Sequence, residues 1–245
     1  MYNPRGNFPV GNRGLFGASG YQYQTLPYGY EGVQEGSLIS KVMGLLAFGF
    51  LFAFIGTFVG LAINLSFGGY WIVAIGGFVV LIALNFAINK PGWNLFLLYL
   101  FTFLEGLALA PLISLYLAAN LGYIVGEAFL LTAITSLALA VYAWTTKRNF
   151  SSLGGYLFMG VILLIVASLL NILLFHSSFG VLLISILGVG IFSAYVLYYV
   201  QRARYLADTL PNAIGLTVSL FITVLNLFIF ILQILTILQG GNRRS

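Results

Sequence analysis

Apolar residues in this chain come in long unbroken runs, not at the period of an amphipathic helix or a half-buried strand. Seven runs stand out, at roughly 42–65, 70–89, 94–118, 124–145, 154–175, 179–200 and 213–239. No charged side chain occurs from Val42 to Asn89, nor from Asn149 to Gln201. Each stretch has room for two bilayer crossings and a turn, since one crossing takes about 20 residues at about 1.5 Å rise per residue. Hydrocarbon offers no partner to backbone N–H and C=O groups, so spans this continuously apolar are predicted to be helices; strands of a membrane barrel would alternate polar and apolar. Turn residues separate the runs: Ser66-Phe67-Gly68-Gly69, Asn89-Lys90-Pro91-Gly92, Asn120-Leu121-Gly122, Ser151-Ser152, Ser177-Ser178 and Pro211-Asn212. The expected fold class is therefore all-α, an integral membrane bundle of seven transmembrane helices.

Composition agrees. Of 245 residues, 61% are hydrophobic and 6% charged, with mean hydropathy +1.05, against about 25% charged in ordinary globular domains. The net charge of +5 is spread as single residues and pairs, with no patch to track phosphates, so a nucleic-acid partner is not expected. There is no cysteine, which excludes disulfides, thiolate metal sites and cysteine nucleophiles.

Residues 1–36 read as a separate region. They hold eight Gly, five Tyr, three Pro and three Asn and no aliphatic run. Such a segment cannot bury enough apolar area to offset the entropy of ordering, so a disordered cytoplasmic tail is predicted, followed by a seven-helix domain over 37–245. With no apolar h-region in the tail, the first span is expected to serve as the insertion signal. Tyr21, Tyr23, Tyr28 and Tyr30 are either contact points for a partner or part of a solvated tail.

Charges sit at the ends of the runs. With the N-terminus inside, Lys41, Lys90, Lys147, Arg148, Arg202 and Arg204 all fall on the inner side, and the loops 66–69, 119–123 and 176–178 carry no Lys or Arg. Seven crossings would put Arg243 and Arg244 outside, so either the end of the chain departs from the rule or the last run is re-entrant; seven crossings is the preferred reading. A multi-pass protein of the cell (inner) membrane with a cytoplasmic N-terminus is expected. Gly56-x-x-x-Gly60 in the first span and Gly106 with Ala110 in the third allow close backbone approach, read as packing within the bundle.

Glu105, near the middle of the third span, is the outstanding residue. A carboxylate in hydrocarbon costs several kcal/mol if ionised and unpaired, so it should face the bundle interior and pair or take a proton. Pro111 lies in the same span, predicts a kink and frees the carbonyl of Leu107 one turn back, adding an acceptor near Glu105. The site is a cation or proton site in a polar cavity, or a neutral Glu hydrogen-bonded to neighbouring helices. Glu127 at the start of the fourth span suits a helix N-terminus. His176, the one histidine, reads as interfacial. Asn64, Asn85, Asn171 and Asn226 read as interhelical hydrogen bonders, with Asn226 a candidate to line a pore. Tyr195, Tyr198 and Tyr199 suit an aromatic belt.

Enzyme classes lack their parts. A membrane aspartyl protease needs two carboxylates at depth, and the one Asp of the chain is Asp208, in a loop. His176 has no evident serine partner beyond its neighbours Ser177 and Ser178. No lysine follows Lys147 for a retinal linkage. Catalysis and cofactors are not expected; metal binding stays open.

Several segments together resemble the Bax inhibitor-1 family. The third span reads Phe103-Leu104-Glu105-Gly106 and then Ala110-Pro111-Leu112 with Tyr116. The fourth ends Tyr142-Ala143-Trp144-Thr145-Thr146-Lys147-Arg148-Asn149-Phe150-Ser151, similar to the family's Tyr-Ala-x-x-Thr-Lys-x-Asp-Phe-Ser. The sixth has Ile191-Phe192-Ser193-Ala194-Tyr195 with Tyr198, and the seventh Asn226-Leu227-Phe228. The resemblance implies a six-helix shell around a central C-terminal helix, and a calcium or cation leak that protects against stress; some bacterial members are linked instead to a membrane protease. It further implies a pH gate of two aspartates on the last two spans. Here those positions hold Tyr199 and Thr223. Two hydroxyls can hydrogen-bond, but neither titrates near neutral pH. The reading is a cation-leak protein with Glu105, Tyr199, Thr223 and Asn226 on its path or gate. The alternative is a non-conducting regulator that binds another membrane protein.

Overall fold

The structure, a computed structural model, describes residues 35–241, with side chains from Leu38 to Gln239. Its long helices are α1 (Glu35–Ala62), α2 (Phe67–Ala87), α3 (Trp93–Ala118), α4 (Gly122–Thr145), α5 (Leu153–Leu170), α6 (Ser178–Arg202) and α7 (Leu210–Gly241). All seven are long and apolar enough to cross a membrane. The four tail tyrosines, Arg243 and Arg244 lie outside the described residues. Helix α1 begins at Glu35, two residues before the boundary read from composition. Helix α7 is continuous, so the last run is a crossing and not a re-entrant loop.

Serines set two of the helix starts. Ser66 accepts a hydrogen bond from the Gly69 N–H at 3.1 Å, and Ser177 accepts one from Gly180 at 3.2 Å. Helix α5 ends in a π-helical turn, Asn171–Phe175, and His176 then adopts a left-handed conformation with φ 47°. That reversal lets α6 start two residues later.

The outer surface is apolar: Phe86 is 83% exposed, Ile72 76% and Phe54 69%. In water such faces would collapse together; in a bilayer they meet acyl chains and cost nothing. The protein is therefore a multi-pass integral membrane protein.

Helix α7 occupies the centre. It packs along α1, α3, α4 and α6, and it supplies buried residues to each hydrophobic cluster: Leu216 and Leu220, Leu227 and Leu232, Ile214, and Phe221. The shell is uneven. Helix α2 leans mainly on α3, and α5 mainly on α6. The tightest seam joins α1 to α3. A Cβ on Gly106 would stand 1.9 Å from the Ala53 carbonyl oxygen, and one on Gly56 would stand 2.1 Å from that of Phe103. One on Gly60 would stand 2.4 Å from the Ala110 Cβ. All four small residues singled out in the sequence thus meet in one contact inside the bundle. Thr57 reinforces it, donating to the Gly106 carbonyl at 2.8 Å.

The antiparallel order brings every basic side chain from Lys41 to Arg204 to one end of the bundle. Lys41 pairs there with Asp208 at 2.9 Å. Buried Gln201 ties the α4–α5 loop to α6, donating to the Arg148 carbonyl and accepting from the Phe150 N–H. Arg204 donates to the Trp144 carbonyl at 3.5 Å and stacks over its ring.

Candidate functional site

Helices α5, α6 and α7 do not close completely on one another. They leave between them an open-sided cavity of about 570 Å³, and its polar wall consists of Ser168 from α5, Tyr195 and Tyr199 from α6, and Ser219, Thr223 and Asn226 from α7. The three α7 residues fall at spacings of four and three, which puts them on one helix face. Leu164, Phe192 and Phe230 are among the apolar residues that complete the lining.

The polar groups of α7 are satisfied locally. Ser219 Oγ donates to the Gly215 carbonyl at 2.9 Å, Thr223 Oγ1 to that of Ser219 at 2.7 Å, and Asn226 Nδ2 to that of Ile222 at 2.8 Å. Across from them Tyr195 and Tyr199 stack with centroids 5.4 Å apart, and Tyr198 meets Tyr199 edge-on at 5.1 Å. Arg202 donates to the Tyr198 hydroxyl at 2.6 Å. Tyr195 and Tyr199, both half-buried, line the cavity, whereas a belt residue would face the lipid interface.

Tyr199, Thr223 and Asn226 thus line one cavity. Glu105 does not. Its carboxylate lies in the α2–α3 groove, where a Cβ on Gly77 would come within 3.3 Å of it. Gly77 precedes Val80 and Leu81 by about one turn, and those two share a cluster with Ile222, a lining residue. The Leu107 carbonyl, expected beside Glu105, instead faces α1: it would lie 3.1 Å from a Cβ on Gly60. Pro111 is buried inside α3, which runs unbroken through it.

Other expectations are corrected in their partners. Glu127 lies past the first turn of α4, and its carboxylate accepts from Gln239 Nε2 on α7 at 2.7 Å. Asn85 donates to the Leu81 carbonyl of its own helix, as Asn226 does to Ile222, so neither bridges helices through its amide N–H. Asn171 accepts from the Ser177 N–H at 3.4 Å and so braces the α5–α6 turn. Among the described residues, no three His, Cys, Asp or Glu side chains group where they could hold a metal ion.

A second set of polar contacts escaped the sequence reading. At the end of α7 opposite the basic residues, Gln233 lies 2.8 Å from Ser185 of α6. Thr236 lies 2.7 Å from the Tyr116 hydroxyl of α3. Thr236 already donates to Leu232, so Tyr116 is the donor. With Gln239 and Glu127, three residues at three-residue steps bind α7 to three helices. That spacing was the available signal.

Comparison with known proteins settles the lineage. The family profile described as Inhibitor of apoptosis-promoting Bax1 matches residues 35–240, which is the whole bundle. The chain belongs to the Bax inhibitor-1 family. It is 34% identical to an uncharacterised protein of Helicobacter pylori strain J99, over 86% of this chain and 92% of the other. Mouse Protein lifeguard 4 is 30% identical over 67% of this chain and 66% of its own length. The Golgi anti-apoptotic protein of vaccinia virus is 30% identical over 66% of each chain.

Proposed function

We propose that this Bax inhibitor-1 family protein is a passive cation leak of the bilayer, with calcium as the ion to test first. The supporting observation is a cavity inside the bundle onto which Tyr199, Thr223 and Asn226 all face. Tyr199 and Thr223, which line this cavity from α6 and α7, are the hydroxyl gate on that path, with no group that titrates near neutral pH. Glu105, in the neighbouring α2–α3 groove, is the intramembrane acid that attracts the cation. The end carrying the basic side chains faces the cytoplasm, and the membrane is the cell (inner) membrane.

The test is reconstitution into vesicles loaded with a calcium-sensitive dye. Calcium influx above that of empty vesicles, reduced in Glu105→Gln, is expected. Influx equal to that of empty vesicles ends the leak reading, and influx untouched in Glu105→Gln removes Glu105 from the path.

The description of the matching family, an inhibitor of apoptosis-promoting Bax1, favours a second reading: a non-conducting regulator that binds another membrane protein. Deletion of residues 1–34, which precede α1, separates the two. Lost partner capture, together with no flux in the full chain, supports the regulator.

A further inference from the structure

The cavity has a property that conduction does not use. Its lining comes from residues 161–169 of α5, 192–199 of α6 and 218–230 of α7, the middle portions of spans that run 153–175, 178–205 and 210–239. It therefore lies near the mid-depth of the bilayer, among acyl chains and not headgroups. Its mouth is lateral. Ile165 and Leu169 line it and are also 55% and 52% exposed, and α5 packs mainly on α6.

The wall chemistry suits hydrocarbon. No Asp, Glu, Lys, Arg or His lines the cavity, so no cation is there to hold a phosphate. Ser219, Thr223 and Asn226 each spend one donor on a carbonyl of α7, which leaves the longer apolar part of the wall, from Val161 to Leu169 and at Phe192, Val218, Ile222 and Phe230, to meet a hydrocarbon occupant. The volume of about 570 Å³ falls within the roughly 300–1,000 Å³ of pockets that take small ligands. Left empty, such a void would forfeit the dispersion contacts of its walls. We propose that the α5–α6–α7 crevice binds one acyl chain of a bilayer lipid, which enters past Ile165 and Leu169 and lies against the Ser219–Thr223–Asn226 face of α7. A chain in the crevice closes the path that the leak reading draws past Tyr199 and Thr223, so on that reading a lipid-filled crevice is its closed state; flux tests the leak and photolabelling tests the chain.

The experiment uses the full chain in phosphatidylcholine vesicles doped with phosphatidylcholine that carries a diazirine at mid-chain. After irradiation, adducts are mapped by mass spectrometry. Adducts within 218–230 of the central helix are expected, beside those on outward mid-span residues such as Phe78, 62% exposed on α2. Filling the crevice from either wall, with Ser219→Phe or Ser168→Phe, should bring the α7 adducts to background and leave those at Phe78 unchanged. Labelling at Phe78 with none on α7 overturns the proposal, as does α7 labelling that persists in a filled variant with the wild-type melting transition. If neither variant folds, the wild-type map alone decides. Because the chain has no cysteine of its own, Ser219→Cys adds an independent check: rapid modification by a charged, water-borne thiol reagent would show a wet cavity and overturn the proposal.

Discussion

Lys41 Nζ lies 2.9 and 3.0 Å from the two carboxylate oxygens of Asp208, which joins the start of α1 to the turn before α7. The Lys41 side chain is 47% exposed and that of Asp208 14%, so solvent screens the attraction from one side. An exposed pair of this kind contributes about 0.5–1 kcal/mol. Lys41→Met is expected to lower the melting midpoint in detergent by about 2–4 °C per kcal/mol lost. The loss should shrink in high salt. A midpoint equal to wild type at low salt would show that the pair contributes nothing.

The α1–α3 seam should be intolerant of a single methyl. Gly106→Ala would drive a Cβ to 1.9 Å from the Ala53 carbonyl, and overpacking of this kind costs about 1–3 kcal/mol. Gly190→Ala on α6 is the matched control, because nothing lies within 4 Å of its added Cβ. A melting transition lowered in the first variant and not in the second is the expected pair of results.

Flux through the native protein should be flat between roughly pH 6 and 8, because neither a tyrosine nor a threonine hydroxyl titrates there. Tyr199→Asp combined with Thr223→Asp places two carboxyls on one cavity, where interacting acids titrate as a pair. The double variant should gain a step in flux across that window. A steep native response that persists in Glu105→Gln would refute the hydroxyl gate.

Gln201 is 3% exposed and serves both the Arg148 carbonyl and the Phe150 N–H. Gln201→Leu leaves both backbone groups to solvent in place of that partner; Arg148 is exposed and Phe150 partly so, and the loss is about 0.5–1.5 kcal/mol per hydrogen bond. Hydrogen exchange at the Phe150 amide should accelerate in the variant. Unchanged exchange would mean that the loop is held by other contacts.

The number of the spans was legible because hydrocarbon demands unbroken apolar length; their limits were legible to within a few residues at most ends, but α1 starts at Glu35, seven residues before its apolar run. The α1–α3 seam was legible in its four small residues. Facing was harder. Glu105 and Leu107 were read as one site, yet residues two apart on a helix point to opposite sides, and each meets a different neighbour. Asn85 and Asn226 look like interhelical donors in a sequence, but a carbonyl of their own helix lies nearer. Gln201 and Gln239 sit at helix ends, where a lone polar residue reads as solvent-facing until its partner from a distant segment is known. The cavity depends on how α5 stands away from α7, which no local pattern encodes.

The central position of α7 also orders the events of synthesis. Six spans leave the ribosome before the one that fills their middle, so the inward faces of α1, α3, α4 and α6 must wait in the membrane without their natural filling. Until Leu232 and its neighbours arrive, the nascent bundle is a ring with an open hub. A nonsense change anywhere between Leu206 and Leu210 would strand that ring and make it a substrate for membrane quality control, however completely its first six spans had inserted.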